Sequence, residues 1–450
     1  MKKLILSILA LTSIAQAQEV KPNIVLIYAD DLGYGDLGCY GAKFKTPALD
    51  QLAKEGIKAM DYNSAANVRS PSRAAILTGR YPMRCGLPTY RTPDKEHDYY
   101  LNTDEITFAE QLKKANYKTY ALGKWHVGFN EMEGVHPLDQ GFDAYYGLAY
   151  NYSTKHDLHN KSIYRDREMV DKNITFPEVT PKYNTELKKI IDAQSPDQPF
   201  LIYMAHQIAH TPIAPGKKFK GKSGAGKYGD FITELDDSCG ILINALKEKG
   251  LYDNTLIIFT SDNGHVPKLG SGGPLSGGKY VTMEGGHRVP FIAKWTGQIP
   301  ENTTINTTIS SLDIFPLFSK IAGVELPDDR KIDGKDILSI LKGESTDSPH
   351  EFLYYYNGKN LQAISKGKWK LHLPRTKEDQ PYWGKKGKFA SLEKVFLVDL
   401  EKDIAEKVNV AKKHPEVIEM LLKQAEKIRK ELGDVNIIGS DQRPQQPERK

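Results

Sequence analysis

Short apolar runs that recur through the first 330 residues constrain the fold of this chain more than any other feature of its sequence. Polar turns bound each run, and segments with helical spacing lie between the runs. Parallel strands covered on both faces have such continuous apolar sequences. The runs are Ile24–Ala29, Tyr117–Leu122, Phe200–Ala205, Leu256–Thr260 and Val289–Trp295, and the helical segments include Pro47–Glu55, Thr107–Ala115 and Gly229–Lys249. The alternation predicts an α/β fold with a large, mostly parallel sheet flanked by helices.

Charged or ligating residues directly follow four of these predicted strands. Ligands bind at the carboxyl ends of strands in open α/β sheets, so four such ends predict one composite site. A polar loop is an equally good interpretation of any one of these segments taken alone. The residues are Asp30 and Asp31, Lys124 and His126, His206 and His210, and Asp262 and Asn263.

The alternation of apolar runs and helical segments ends near residue 325. Strand-like pieces separated by Gly- and Lys-rich turns predict a small antiparallel sheet, and a helix from Pro415 to just before Gly433 is expected to pack on it. The pieces are Phe352–Tyr356, Gln362–Ser365, Trp369–Leu373 and Lys394–Asp399. We therefore expect a large domain over residues 18–325, a small α+β subdomain over 326–434 and a loose polar tail over 435–450.

The amino terminus has the pattern of a secretory signal peptide. Met1-Lys2-Lys3 precedes the apolar run Leu4–Ala15, and Ala15-Gln16-Ala17 fits a cleavage site before Gln18. This run is shorter than the roughly 20 residues that a spanning helix needs, and no later segment approaches that length. The sequence predicts an exported protein, in the bacterial periplasm or outside the cell, with residues 1–17 removed and no membrane span.

Charge and cysteine content exclude two further classes. Loss of the two leader lysines would reduce the net charge from +5 to +3, which gives little support to a nucleic-acid partner. The three cysteines, Cys39, Cys85 and Cys239, allow at most one disulfide, so this is not a disulfide scaffold. The sequence is silent on the oligomeric state.

Four of the residues after the strands offer only oxygen ligands. Asp30, Asp31, Asp262 and Asn263 suit a hard divalent cation, Ca²⁺ or Mg²⁺, better than Zn²⁺. Adjacent aspartates also cap helices and turns, and this is a sound alternative for Asp30 and Asp31 considered without the second pair.

A second group of side chains could surround a tetrahedral dianion with donors and stabilise charge as a bond to it breaks. A satisfied structural histidine is the alternative for either histidine taken singly. The group comprises Arg73, Lys124, His126, His210 and Lys279.

Six segments in order along the chain carry a resemblance to a known family. They are Asn23–Tyr40 (NIVLIYADDLGYGDLGCY), Ser70–Arg80 (SPSRAAILTGR), Gly123–Gly128 (GKWHVG), Ala209–Pro215 (AHTPIAP), Ser261–Gly264 (SDNG) and Gly278–Pro290 (GKYVTMEGGHRVP). With these motifs the sequence resembles the sulfatase family, in the arylsulfatase-like branch of the alkaline phosphatase superfamily, over nearly the whole mature chain.

The resemblance implies an alkaline phosphatase-like fold and hydrolysis of sulfate monoesters, with sulfated carbohydrate or an aryl sulfate as the substrate. It implies that Asp30, Asp31, Asp262 and Asn263 hold Ca²⁺, with Mg²⁺ as the lesser alternative. It also implies a sulfate pocket made of the five residues Arg73, Lys124, His126, His210 and Lys279, in which His210 contacts the sulfate and protonates the leaving oxygen.

Position 69 departs from the family pattern. Sulfatases of this family use a formylglycine made from a Cys or Ser two residues before the motif proline, and here that residue is Arg69. Arginine cannot become the aldehyde hydrate, and its guanidinium is not a useful nucleophile. A single base change can interconvert Cys and Arg codons.

Two serines beside Arg69 are not expected to replace the nucleophile. Ser70 precedes Pro71 and is predicted to cap the following helix, with Pro71 at the first helical position. Ser72 matches a family residue with a supporting role.

Arg69 also bears on the metal. We expect its guanidinium to replace part of the cation's charge beside Asp30, Asp31 and Asp262, which would leave a metal-poor site.

Three functions remain open at this point. The first is a working sulfatase in which position 69 is altered, or one whose activity survives weakly through attack of water on a polarised sulfate. The second is an inactive homologue that binds sulfated glycans. The third, a phosphatase or phosphodiesterase of the same superfamily, lacks its Ser or Thr nucleophile and ranks last. Five lysines between residues 217 and 227 could steer a polyanionic glycan, although a solvated loop is the better interpretation.

Overall fold

The computed structural model describes residues 21–89, 100–129, 134–153, 158–379 and 389–444. The predicted leader, residues 1–17, lies outside the described residues. Among the helices that are described, none is long and apolar enough to cross a membrane.

Sixteen strands are present in the described parts of the chain, and they form three sheets. In chain order they are β1 (Asn23–Ala29), β2 (Ile57–Ala59), β3 (Tyr62–Asn63), β4 (Lys118–Gly123), β5 (Ala144–Gly147), β6 (Ile163–Arg165), β7 (Glu168–Asp171), β8 (Phe200–Ala205), β9 (Thr255–Ser261), β10 (Phe291–Lys294), β11 (Thr303–Ile305), β12 (Ile309–Ser310), β13 (Leu353–Asn357), β14 (Asn360–Lys366), β15 (Trp369–His372) and β16 (Phe396–Asp399).

The helices alternate with these strands through the first 320 residues, and a last helix follows the strands. They are α1 (Pro47–Lys54), α2 (Arg69–Thr78), α3 (Phe108–Lys113), α4 (Phe176–Asp192), α5 (Gly226–Glu248), α6 (Glu284–His287), α7 (Ile314–Ala322), α8 (Leu338–Leu341) and α9 (Pro415–Leu432).

A ten-stranded sheet forms the centre of the molecule, in the order β11-β2-β10-β9-β1-β8-β4-β5-β6-β7. Its five middle strands, from β9 to β5, run parallel to one another. All seven residues of β1 are buried, since apolar side chains pack on both faces of the sheet. The predicted α/β architecture is confirmed, with a mixed and mostly parallel sheet.

One predicted strand has the wrong direction. The run Val289–Trp295 was expected to be parallel, but β10 pairs antiparallel with both β9 and β2. A buried antiparallel strand is as continuously apolar as a parallel one, so composition alone cannot distinguish the two.

The C-terminal part forms the predicted antiparallel sheet, with the order β13-β14-β15-β16. Helix α9 packs on it through a buried stripe of apolar residues, as expected from its 3.6-residue spacing. The stripe comprises Leu421, Ala425, Ile428 and Leu432.

The expected loose tail is wrong for its described part. The main chain of Arg443 donates to the carbonyl of Met83, at 3.2 Å. The Asp441 carboxylate pairs with the buried Arg84 guanidinium, which also contacts Asp333 at 2.9 Å and Glu431 at 2.7 Å. Polar composition suggested a solvated tail, but the Asp441 carboxylate pairs instead with Arg84, in the loop after α2. Residues 445–450 lie outside the described part.

Candidate functional site

The register of the central strands brings the residues that follow them to one edge of the sheet. Ala29 at the end of β1 pairs with Ser261 at the end of β9, and Tyr28 pairs with Ala205 at the end of β8. Gly123, at the end of β4, also pairs with Ala205. A β-carbon on Gly123 would lie 2.1 Å from the Ala205 carbonyl oxygen, so only glycine permits this close approach.

Three carboxylates form the acidic part of this edge. Each of Asp30, Asp31 and Asp262 is buried and offers an oxygen, and these oxygens all lie within 4.8 Å of one another. The Asn263 amide donates to Asp31 Oδ1 at 2.8 Å, and the main chain of Asp31 donates to Asp262 Oδ1 at 3.1 Å. The structure thus brings these four residues together at the edge of the sheet.

The acidic cluster is able to hold a hard cation. Asp30 Oδ1 and Asn263 Oδ1 are buried and accept no hydrogen bond from any residue that the structure describes. A buried oxygen without a donor is costly, and a cation would satisfy both atoms. All of the candidate ligands are oxygen atoms, as a hard divalent ion requires.

A buried cation pairs with each carboxylate. The Lys124 ammonium contacts Asp30, the Lys279 Nζ lies 2.6 Å from Asp31, and Arg73 donates to Asp262 Oδ2 at 3.0 Å. These three basic side chains are at most 1% exposed, and Arg73 also donates to the carbonyl of Lys124 at 3.0 Å. The pairing links residues that are 94 to 248 positions apart in the sequence.

These neighbours set the charge states of the carboxylates. Burial alone would raise the pKa of Asp30, but Lys124, His210 and Arg73 outweigh it and hold this pKa well below the usual range. Burial and the charge of Asp30 raise the pKa of Asp262 to about 7. Three carboxylates that share one site cannot all ionise equally without a further cation.

Both predicted histidines are neutral in this environment. Burial and the charges of Lys124 and Arg69 hold the pKa of His126 well below its usual value. Burial also lowers the pKa of His210 to about 3, against the opposing effect of Asp30 and Asp31. His210 Nδ1 lies 2.7 Å from the Thr211 carbonyl, so this nitrogen carries the proton and Nε2 is the basic atom.

Arg69 points into the site. It begins helix α2, it is 9% exposed, and its Nη1 lies 3.4 Å from His210 Nε2. Burial and the charge of Asp30 raise the pKa of Asp31, but Lys279, His210 and, to a smaller extent, Arg69 hold it below its usual value. The guanidinium is therefore part of the buried cluster.

The predicted cap at Ser70 is wrong. Helix α2 begins at Arg69, two residues before the predicted first helical residue Pro71, and the capping position is Val68. The Ser70 hydroxyl lies instead 2.7 Å from Nδ1 of His126, which places it in contact with a predicted site residue. The hydroxyl of Ser72 donates to the carbonyls of Ala66 and Val68, at 3.0 and 2.9 Å, in keeping with a supporting role.

Two backbone conformations mark the same edge. Asp31 and His126 have left-handed φ angles of 61° and 64°. Such angles are uncommon for residues other than glycine and concentrate at functional sites. The sequence analysis missed these conformations and the Ser70–His126 contact, since spacing along the chain carries no information about either.

Comparison with known proteins decides the family. The model of the family described as Sulfatase matches residues 22–324, and the model described as the C-terminal region of aryl-sulfatase matches residues 348–446. The chain belongs to the sulfatase family. The family generally binds a divalent metal ion, and the acidic cluster could hold one.

Curated sulfatases match most of the chain. N-acetylgalactosamine-6-sulfatase of Mus musculus is 38% identical over 399 residues, which cover 83% of this chain and 76% of that protein. Arylsulfatase A of Homo sapiens is 35% identical over 464 residues, which cover 94% and 90% of the two chains.

Solved sulfatase structures share the alkaline phosphatase-like fold of the chain. The crystal structure of Ps i-CgsB in complex with k-i-k-neocarrahexaose matches with a TM-score of 0.79 and 29% identity, over 91% of this chain and 92% of that one. The PsFucS1 sulfatase from Pseudoalteromonas sp. matches with a TM-score of 0.78 and 28% identity, over 93% and 92%. The predicted family and fold are confirmed.

Proposed function

We propose that this site binds the sulfate group of a sulfated carbohydrate and that the chain acts as a sulfate monoester hydrolase. The observation that carries the proposal is the convergence of Lys124, Lys279 and His210 on one buried acidic cluster. Relatives named as sulfatases, and a solved neighbour in complex with k-i-k-neocarrahexaose, support a carbohydrate substrate. An aryl sulfate would fit the same chemistry.

The lysines would supply most of the binding energy for the sulfate group. An ammonium has three donors, and in both Lys124 and Lys279 one of them is used by a carboxylate. The remaining donors are available for sulfate oxygens and would stabilise the charge that develops as the S–O bond breaks. Arg73 would act less directly, by holding Asp262 and the Lys124 carbonyl in place.

His210 would protonate the leaving oxygen of the substrate. Its pKa of about 3 applies without a bound anion, and a sulfate ester next to Nε2 would raise it by stabilising the imidazolium. A protonated His210 could then give its proton to the leaving oxygen. His126, whose Nδ1 lies 2.7 Å from the Ser70 hydroxyl, would also bind the sulfate group.

Asp30, Asp31, Asp262 and Asn263 would hold the metal, for which we propose Ca²⁺. The two buried oxygens without a donor in the described structure support this ligand set. When bound, the ion would polarise a sulfate oxygen as a Lewis acid.

The positive charge of Arg69 weakens the binding of that ion. Arg69 brings the basic side chains beside the three carboxylates to four, with Arg73, Lys124 and Lys279. A unit charge at ~4 Å from a divalent ion costs on the order of 8 kcal/mol at an effective dielectric constant of ~20. We expect less than one ion per chain in the protein as it stands, and more in the variant Arg69→Ala. Elemental analysis of the two purified proteins tests this, and one tightly held Ca²⁺ per parent chain would contradict it.

Binding without hydrolysis is the second candidate function, and Arg69 favours it. By the sulfatase motif, this residue stands where the formylglycine precursor is expected. The guanidinium lies beside His210 but cannot attack sulfur. The donors for the sulfate remain, so affinity would be kept while turnover is lost.

A matched pair of ligands tests both candidates. A sulfated oligosaccharide and its desulfated form are titrated against the protein by calorimetry, and sulfate release is followed in parallel. We expect tighter binding of the sulfated form, and weakened binding in Lys124→Met. Release of sulfate would identify a hydrolase, and binding of the sulfated sugar without release of sulfate would identify the second function. Equal affinity for the sulfated and the desulfated sugar would contradict both functions.

The predicted leader supports a location outside the cytoplasm, where sulfated polysaccharides are accessible. We therefore propose that the chain is exported and acts in the periplasm or outside the cell.

A further inference from the structure

The segment 276–288 lies between the sulfate pocket and the C-terminal sheet. On the pocket side, the main chain of Lys279 donates to the carbonyl of His265 at 2.8 Å, and its Nζ contacts Asp31 at 2.6 Å. Lys279 is 1% exposed, so its position depends on how this segment is held.

The next residue, Tyr280, has a strained backbone. Its φ angle is 80°, in the left-handed region that bulky side chains avoid. Such a conformation persists only where surrounding contacts fix it. The Tyr280 amide donates to the carbonyl of Asn67, at 3.1 Å, and its carbonyl accepts from Nδ2 of Asn357, also at 3.1 Å.

The two hydrogen bonds of the Tyr280 main chain join it to different parts of the molecule. Asn67 lies two residues before Arg69, at the entrance to α2, whereas Asn357 ends β13 of the C-terminal sheet. Asn357 is 1% exposed, and its hydrogen bond to Tyr280 is partly buried. Tyr280, the residue that follows Lys279, is thus held by its amide on the pocket side and by its carbonyl on the sheet side.

Further contacts join the sheet side to the same segment. Thr282 Oγ1 donates to Gln362 at 3.0 Å, and Lys370 Nζ lies 2.7 Å from Glu284. Lys370 and Glu284 are both fully buried, and breaking a buried ion pair leaves a costly unpaired charge. The segment therefore cannot shift independently of the C-terminal sheet.

We infer that the C-terminal sheet positions Lys279 for sulfate, and that Asn357 is a positioning residue that acts through the Tyr280 backbone. The inference rests on the proposed role of Lys279 as a sulfate ligand. Without the Asn357 donor, Tyr280 can relax to a negative φ, and this rotation moves the peptide that carries the lysine.

A double-mutant cycle tests this mechanism, with inorganic sulfate as the probe and calorimetry as the readout. We expect Asn357→Ala in the full chain to weaken sulfate binding about tenfold, as it would if only about one chain in ten held Lys279 in the binding position before sulfate arrives. Lys279→Met should weaken it further. The double variant should bind no more weakly than Lys279→Met alone, because Asn357 acts only through that lysine.

Two variants separate positioning from stability. Asn360→Ala removes a buried amide in the same hairpin, where Asn360 pairs with Asn357 and donates to Asp434. It should lower the urea midpoint without changing sulfate affinity. Asn357→Asp keeps the shape but cannot donate, so it should reproduce the loss of affinity even if Asn357→Ala folds poorly.

Each contrary result has a distinct meaning. Parent-like affinity in both Asn357 variants, or losses that multiply in the double variant, would overturn the positioning role alone. A parent chain that does not bind sulfate, or a Lys279→Met variant that binds normally, would overturn the proposed pocket and this inference with it.

Discussion

Arg73 illustrates how much of the site depends on single buried charges. It is fully buried, donates to Asp262 at 3.0 Å and lies 3.8 Å from Asp30. Removing one member of a buried ion pair leaves the other charge without compensation. The residue therefore contributes to the stability of the sheet edge as well as to its charge balance.

Replacing Arg73 by Met should lower the free energy of unfolding by about 3–5 kcal/mol, because Asp262 is left buried and unpaired. Urea denaturation measures the change. The double variant Arg73→Met, Asp262→Asn should recover part of the loss, and a loss below about 1 kcal/mol in the single variant would show that the pair is dispensable.

His287 should make the fold sensitive to acid. Burial lowers its pKa to about 4, although a 2.8 Å hydrogen bond to the Ser64 carbonyl opposes this shift. The unfolded chain binds this proton near pH 6.5, so stability falls as the pH drops below that value and levels off below about pH 4.

The variant His287→Asn keeps a donor for Ser64 but does not titrate. Between pH 7.5 and pH 5 it should lose about 2 kcal/mol less stability than the parent, measured by urea denaturation at each pH. His414→Asn, at a partly exposed residue, is the control. Equal pH dependence in parent and His287→Asn would contradict the assignment.

At the scale of elements, the long periodic segments were predictable and the short ones were not. Strands β1, β4, β8 and β9 have six or seven residues, which suffice to show a continuous apolar run. Strands such as β3 and β12 have only two residues, so their pairing depends on contacts remote in sequence. Helix α4 is not among the helical segments named from the sequence; Pro181 lies inside it, and Thr175 and Glu178 form a capping box at its start.

Helix α9 was predicted from its spacing, and its packing can be tested directly. Leu421 is fully buried against the C-terminal sheet, so Leu421→Ala should cost about 3 kcal/mol of unfolding free energy. Lys423→Ala, at an exposed position of the same helix, should change it by less than about 0.5 kcal/mol. Similar values for the two variants would mean that α9 does not depend on this interface.

At the scale of the whole molecule, the convergence of the site was predictable, whereas its pairings were not. Parallel strands align their carboxyl ends, so residues after β1, β4, β8 and β9 had to meet. Which lysine pairs with which aspartate depends on long-range packing, as does the direction of the Arg69 side chain. The contact between the C-terminal sheet and Tyr280 likewise has no counterpart in local sequence.

The central claim is that this chain has a sulfatase pocket whose activity is limited at residue 69. The most direct test is sulfate release from aryl and sugar sulfates by the parent, beside Arg69→Cys co-produced with a formylglycine-generating enzyme. We predict repeated turnover by the Cys variant and little or none by the parent, because the surrounding donors are already in place. No sulfate release by either protein would contradict the claim and leave only a binding role for the site.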